Sequence, residues 1–159
     1  MTVFDTIELK KVSKDDIDFL YELLKERDAS ITITQKKLPS LKEHRTFVEN
    51  QLMSINGDRE NIEKARLDPY DGWYIITSDA IELGSVWIEK DGNIGLQIQK
   101  KFQKIGIGVI AYEKIQKIHK KENYKTTINP NNNEAIKLTE KLGFILKEKA
   151  YDQNIYVKS

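Results

Sequence analysis

The chain has 159 residues, with 26 basic and 25 acidic side chains, two histidines and no cysteine. Disulfides, thiolate catalysis and cysteine-ligated zinc are excluded, a histidine-rich metal site is not expected, and a net charge of +1 does not suit a nucleic-acid binder driven by bulk charge. Hydrophobic residues at 39% and charged residues at 32% fit one folded domain over residues 1–159. No apolar run reaches the ~20 residues of a membrane span, and MTVFDTIELKKV lacks the pattern of a signal peptide. A cytoplasmic protein with no membrane partner is the expectation.

Thr6–Lys10 alternates and predicts a strand. Ser13 with Asp16 is a capping-box pattern, and Ile17, Leu20, Tyr21 and Leu24 recur at helical spacing, so a helix follows and fades near Asp28. Ala29–Pro39 reads as a loop. Pro39-Ser40 opens a second helix with Leu41, His44, Phe47, Val48 and Leu52 along one side. The charged stretch after it reads as an exposed excursion, with a helical turn around Glu60–Arg66. Three strand runs come next, GWYIIT, LGSVWIEK and NIGLQI, and Asp91-Gly92 predicts a type I′ turn between the last two. The period then switches: Ile107, Ile110, Ala111, Ile115 and Ile118 form a helical stripe over residues 106–121. YKTTI is a short strand. NPNNNEAIKLTEKLGF gives a helix capped by Asn131 or Asn132 and stopped at Gly143, and two strands joined near Asp152-Gln153 end the chain. The order β-α-α-β-β-β-α-β-α-β-β predicts an α/β (α+β) fold with a mixed sheet rather than a doubly wound parallel one.

QKIGIG, residues 103–108, joins the third strand run to the helix after it. Glycines let backbone approach a ligand closely, and a helix N-terminus offers unpaired N–H groups and partial positive charge. Lys100, Lys101 and Lys104 add charge nearby. The segment lacks the Gly-Lys-Ser/Thr ending of a Walker A loop and the third glycine of a dinucleotide fingerprint. Read alone, it is either an ordinary turn or a phosphate cradle.

The longer string NIGLQIQKKFQKIGIGVIAYEKI resembles motif A of the GNAT N-acetyltransferase superfamily. Gln103, Gly106 and Gly108 fill its three defining positions, with Ile98 and Phe102 at its apolar and aromatic ones. NNEAIKLTEKLGF resembles motif B through Asn132, Ala135, Gly143 and Phe144. The resemblance implies a mixed, V-splayed central sheet flanked by helices, with acetyl-CoA held in the split. It implies that the backbone of Gln103, Lys104, Ile105, Gly106, Ile107 and Gly108 binds the pyrophosphate. The pantetheine arm would pair with the strand at Gly95–Gln99, opened by a β-bulge, an N–H near Ile98 would face the oxyanion, and Asn132 would support the cofactor or simply cap its helix.

The implied activity is transfer of an acetyl group from acetyl-CoA to a primary amine, by direct attack in a ternary complex. The favoured acceptor is a small molecule such as an amino sugar; a protein lysine or N-terminus is the alternative, and a non-catalytic CoA-binding module is the rival of another class. Two positions depart from the pattern: Thr139 stands where many relatives have an acidic tyrosine, and Asn93 where some have a carboxylate. Tyr112, Tyr151 and Tyr156 are candidate substitutes for the acid; Glu82 and Glu89 lie on neighbouring strands and read as solvated surface. SLKEHRTFV resembles a segment of a GNAT subgroup acting on nucleotide-linked amino sugars, which makes His44, with Glu43, the candidate base. The other reading packs His44 in the core. His119 reads as surface, and Trp73, Tyr74 and Trp87 as core, with Trp87 alternatively walling the acceptor cleft.

Overall fold

The computed structural model describes residues 6–28, 37–57, 69–150 and 153–159. The helical turn expected at Glu60–Arg66, residues 29–36 of the expected loop, Tyr151 and Asp152 lie outside the described residues. The elements are β1 (Ile7–Lys11), α1 (Ile17–Lys25), α2 (Leu41–Ile55), β2 (Tyr70–Ser78), β3 (Ile81–Glu89), β4 (Ile94–Ile98), α3 (Ile107–Ile118), β5 (Tyr124–Ile128), α4 (Asn133–Lys141), β6 (Ile145–Lys149) and β7 (Asn154–Lys158). Their order is the one the sequence predicts.

The helix ends follow local chemistry. Ser13 and Asp16 close a capping box around a 3-10 turn at Lys14–Asp16 that leads into α1. Ser40 and Glu43 close a second box at the start of α2, and Asn132 caps α4 by accepting from the Ala135 N–H at 3.2 Å. Gly143, at φ +90, follows α4 in the left-handed conformation expected of a helix stop.

Strands β1-β2-β3-β4 form one antiparallel sheet and β5-β7-β6 a second. One face of the first sheet presents Ile76, Val86, Ile88, Ile94 and Ile98 to α3, whose Ile107, Ala111, Tyr112 and Ile115 are buried there. Ile118, expected on that stripe, is exposed at the helix end. The opposite face presents Trp73 and Ile75 to α1 and α2 through Ile17, Leu20, Leu23 and Val48. Within α2, Leu41 is exposed, whereas Gln51 and Ser54 are buried and bond the Tyr70 N–H and C=O at 2.9 and 3.3 Å.

The hairpin turns differ from expectation. Asp91-Gly92 is not type I′, because only Gly92 has positive φ. The Gly92 N–H donates to the Glu89 carbonyl at 3.0 Å and the Glu89 N–H to the Asn93 carbonyl at 2.8 Å, which makes a three-residue connection. Two consecutive positive φ values, as type I′ requires, occur instead at Asp79 (49°) and Ala80 (68°), between β2 and β3. The bulge expected in β4 is also not there: β3 and β4 pair without a shift from Gly84–Ile98 to Ile88–Ile94. At the far edge β6 is exposed throughout, with Ile145 71% exposed. A register shift at Lys147 and the flanking lysines blunt that edge against further pairing.

Candidate active site

The two sheets meet at β4 and β5. These strands run parallel but share only one bridge among the described residues, Asn93 to Lys125, where the Lys125 N–H donates to the Gly92 carbonyl at 3.1 Å. Beyond it they diverge, and the sheet splits into a V. Because Asn93 and Gln99 exchange hydrogen bonds with β3, antiparallel alternation turns the backbone of Ile94, Leu96 and Ile98 the other way, into the split. The opening therefore comes from the divergence of β5, not from a bulge.

At the open end of the V, β4 leads through a 3-10 turn at Lys100–Phe102 into residues 103–108. Lys104 (φ 65°) and Gly106 (φ 91°) both have left-handed backbone. Gly106 is the N-cap of α3 and makes no side-chain cap, so the first N–H groups of the helix are not closed by a capping side chain. The Gln103 Nε2 donates to the Ile98 carbonyl at 3.0 Å and ties this loop to the strand end. A Cβ on Gly108 would lie 3.0 Å from both Leu96 Cδ2 and Leu138 Cδ2, so this glycine lets α3 approach β4 and α4. The strand end and the loop thus lead into the N-terminus of α3, whose first N–H groups no side chain caps, a run of backbone that could hold an extended anionic ligand.

The candidates for proton transfer sit in more committed settings. His44 is 3% exposed, its Nε2 lies 3.1 Å from the Ile17 carbonyl, and its ring packs 5.2 Å from Tyr21. Burial lowers its pKa, partly opposed by the Ile17 hydrogen bond. Glu43 accepts from the Ser40 N–H at 3.0 Å, and that bond lowers its pKa. Thr139 is 1% exposed and donates to the Ile136 carbonyl at 2.9 Å within its own helix. Tyr112 is buried with its hydroxyl 3.1 Å from Thr126 Oγ1, and burial pushes its pKa up to about 12. Tyr156 is buried beneath α3 and α4. No hydrogen bond or ion pair joins any two of these groups.

The surroundings of β4 were only partly legible in the sequence. The Trp87 indole lies across Gly95, where a Cβ would come within 2.1 Å of the ring, and it stacks on Tyr70 at 5.9 Å. The Asn93 amide donates to the Glu89 carboxylate, and Thr127 Oγ1 donates to Asn93 Oδ1 at 3.4 Å, so Glu89 is tied across the apex rather than loose on the surface. The Gln97 side chain donates to the Leu23 carbonyl, and the Lys100 N–H donates to Glu26 Oε1 at 2.9 Å, which fastens the end of α1 to the end of β4. Between them lies a cavity of about 430 Å³ lined by Phe19, Glu22, Leu23, Glu26, Glu82 and Gln99.

His119 also departs from expectation. It is half-buried, with Nε2 2.7 Å from the Tyr74 hydroxyl and Nδ1 3.7 Å from Asp71, which Lys90 and Lys121 hold at 2.7 and 3.1 Å. Burial lowers its pKa as it does that of His44. The unfolded chain therefore takes up protons before the folded one as pH falls. The stability tied to neutral histidine is complete above the unfolded value of ~6.5 and is lost as pH falls from there through the depressed folded values. Urea midpoints are expected to drop first in this window, before the carboxylates titrate. Replacing both histidines with glutamine should flatten that limb; an unchanged limb would show that other groups cause it.

No protein-family model matches the chain. No curated protein matches it either. Solved structures do. The microcin C7 self-immunity acetyltransferase MccE, in complex with acetyl-CoA and AMP, aligns at a TM-score of 0.74 and 18% identity, covering 98% of this chain and 93% of that one. RimL, the ribosomal L7/L12 α-N-protein acetyltransferase in complex with coenzyme A, aligns at 0.73 and 16%, covering 99% and 96%. Spermidine N-acetyltransferase from Vibrio cholerae aligns at 0.69 and 11%, covering 97% and 94%. The chain thus has the mixed α+β fold of the GNAT acetyltransferases over nearly its whole length.

Proposed function

We propose that this chain is an acetyl-CoA-dependent N-acetyltransferase. The observation that carries the reading is the split: backbone of Leu96 and Ile98 faces an opening that ends at the uncapped N-terminus of α3. An extended thioester with amides along its arm and a pyrophosphate at its end matches that sequence of groups. Structures of similar fold hold acetyl-CoA or coenzyme A, which supports acetyl-CoA as the donor.

The mechanism follows from the chain's own groups. An amine must be neutral to attack, and the oxyanion it creates needs a donor that is already in place. The N–H of Leu96 or Ile98 supplies that donor on a rigid strand. His44, Glu43 and Thr139 each have polar atoms engaged elsewhere, so we assign proton removal and delivery to water. The glutamates around the cavity at the end of α1 suit an acceptor that arrives as an ammonium ion. Proteins of similar fold include one named for spermidine and one for a ribosomal protein N-terminus. Of these acceptor types we favour the small amine, because Glu22, Glu26 and Glu82 line a cavity of about 430 Å³ beside the split and suit a small cation.

The test is acetyl-CoA binding by thermal shift, followed by free-thiol release with a panel of spermidine, glucosamine and a peptide with a free N-terminus. Stabilisation with thiol release on a small amine is expected. Stabilisation with no release on any amine would favour a CoA-binding module, the reading encouraged by the Thr139 hydroxyl being committed to Ile136. No response to acetyl-CoA would remove the donor assignment.

A further inference from the structure

The apex of the split holds a buried chain of polar groups that the activity does not require in an obvious way. The Tyr112 hydroxyl lies 3.1 Å from Thr126 Oγ1, and Thr126 Oγ1 donates to the Ile94 carbonyl at 3.0 Å. Both side chains are 3% exposed. Since the threonine proton goes to Ile94, the tyrosine is the donor to threonine.

The position of that carbonyl gives the chain its meaning. At the one β4–β5 bridge, the Lys125 N–H donates to the Gly92 carbonyl. The next rung of a parallel ladder lies two residues further on each strand, where the Thr127 N–H would donate to the Ile94 carbonyl. Instead a side-chain hydroxyl of β5 enters that place, and pairing stops. A hydroxyl reaches further from its strand than a backbone N–H, so accepting it keeps the strands apart.

We propose that Thr126, backed by Tyr112, is the wedge that ends the β4–β5 ladder after one rung, and so is a positioning residue for the acyl donor. The wedge turns the Thr127 N–H and the Leu96 N–H toward the ligand rather than toward each other's strands. The donor part of this proposal rests on the reading of the split as an acetyl-CoA site. Without the wedge, β5 closes onto β4 by one rung and shortens the slot from its inner end, which takes the Leu96 N–H away from the ligand.

Thr126→Val alone leaves the buried Tyr112 hydroxyl without an acceptor, so the main test is the double variant Tyr112→Phe/Thr126→Val, with Thr126→Ser as the conservative control. Two measurements are needed: acetyl-CoA affinity by calorimetry, and amide hydrogen exchange of Thr127 in the ligand-free protein. The double variant should bind about tenfold more weakly or worse, with Thr127 exchange slowed by about tenfold or more, while serine stays close to the parent. Retained affinity, with or without slower exchange, would overturn the positioning role, and so would a serine variant as impaired as the valine one. If the parent protein itself fails to bind acetyl-CoA, the functional reading falls, and the Thr127 exchange comparison still decides whether Thr126 is the wedge.

Discussion

Gly106→Glu is expected to abolish acetyl-CoA binding while the protein still folds. Three effects act at this one position. Gly106 has φ +91, which costs an L-residue about 1–2 kcal/mol. It is the N-cap of α3, so the new side chain sits where the helix offers unpaired N–H groups. A carboxylate there satisfies those groups itself and repels a pyrophosphate. Gly106→Asn separates the effects, because asparagine tolerates left-handed backbone and brings no charge. The expected order of affinity is parent, then asparagine with a moderate loss, then glutamate with binding lost by ~100-fold or more. Calorimetry with acetyl-CoA reads the affinity, and melting of the free protein reads the strain. Unchanged affinity in the glutamate variant would falsify the assignment of this loop to the pyrophosphate. Gly108 is a different case despite standing two residues away. Its Cβ would press on Leu96 and Leu138, so substitution there acts through packing first.

This difference between two glycines of one motif shows what sequence can and cannot carry. Ser13, Ser40, Asn132 and Gly143 were all legible as helix boundaries, because caps bond within a few residues and leave a local pattern. The strands and the stripe of α3 were legible because burial imposes a period. The split was legible only by resemblance. The features that shape it join residues far apart in sequence: Thr126 to Ile94, Gln97 to Leu23, Lys100 to Glu26. No period or spacing marks such pairs. His119 departs from its sequence pattern for the same reason: a lysine-rich helix end reads as solvated, yet Tyr74 and Asp71 from β2 enclose the ring. Composition points to Asp91-Gly92 for the type I′ turn, whereas the register of β2 against β3 puts Asp79 and Ala80 into positive φ.

His44→Ala should cost about 2–4 kcal/mol of folding stability and leave turnover per folded molecule close to the parent value. The imidazole fills a buried place between α1 and α2, touches Tyr21, and bonds the Ile17 carbonyl in the first turn of α1. Truncation removes the ring's buried surface, leaves a cavity and gives up that bond. For a domain whose whole stability is about 5–15 kcal/mol, this is a large fraction. A catalytic base predicts the opposite pattern: a fall in kcat of ~100-fold or more, at little cost in stability, with the low-pH limb of the rate profile removed. Denaturant midpoints and thiol-release rates, corrected for the folded fraction, therefore separate the two roles in one variant. The depressed pKa of His44 does not decide between them, since burial alone lowers it. The hydrogen bond does favour packing. A neutral imidazole that donates through Nε2 to a main-chain carbonyl can accept a proton only at Nδ1. Protonating it there would place a charge in the seam between the helices, which ties proton uptake at His44 to loosening of α1 against α2 rather than to attack by an amine.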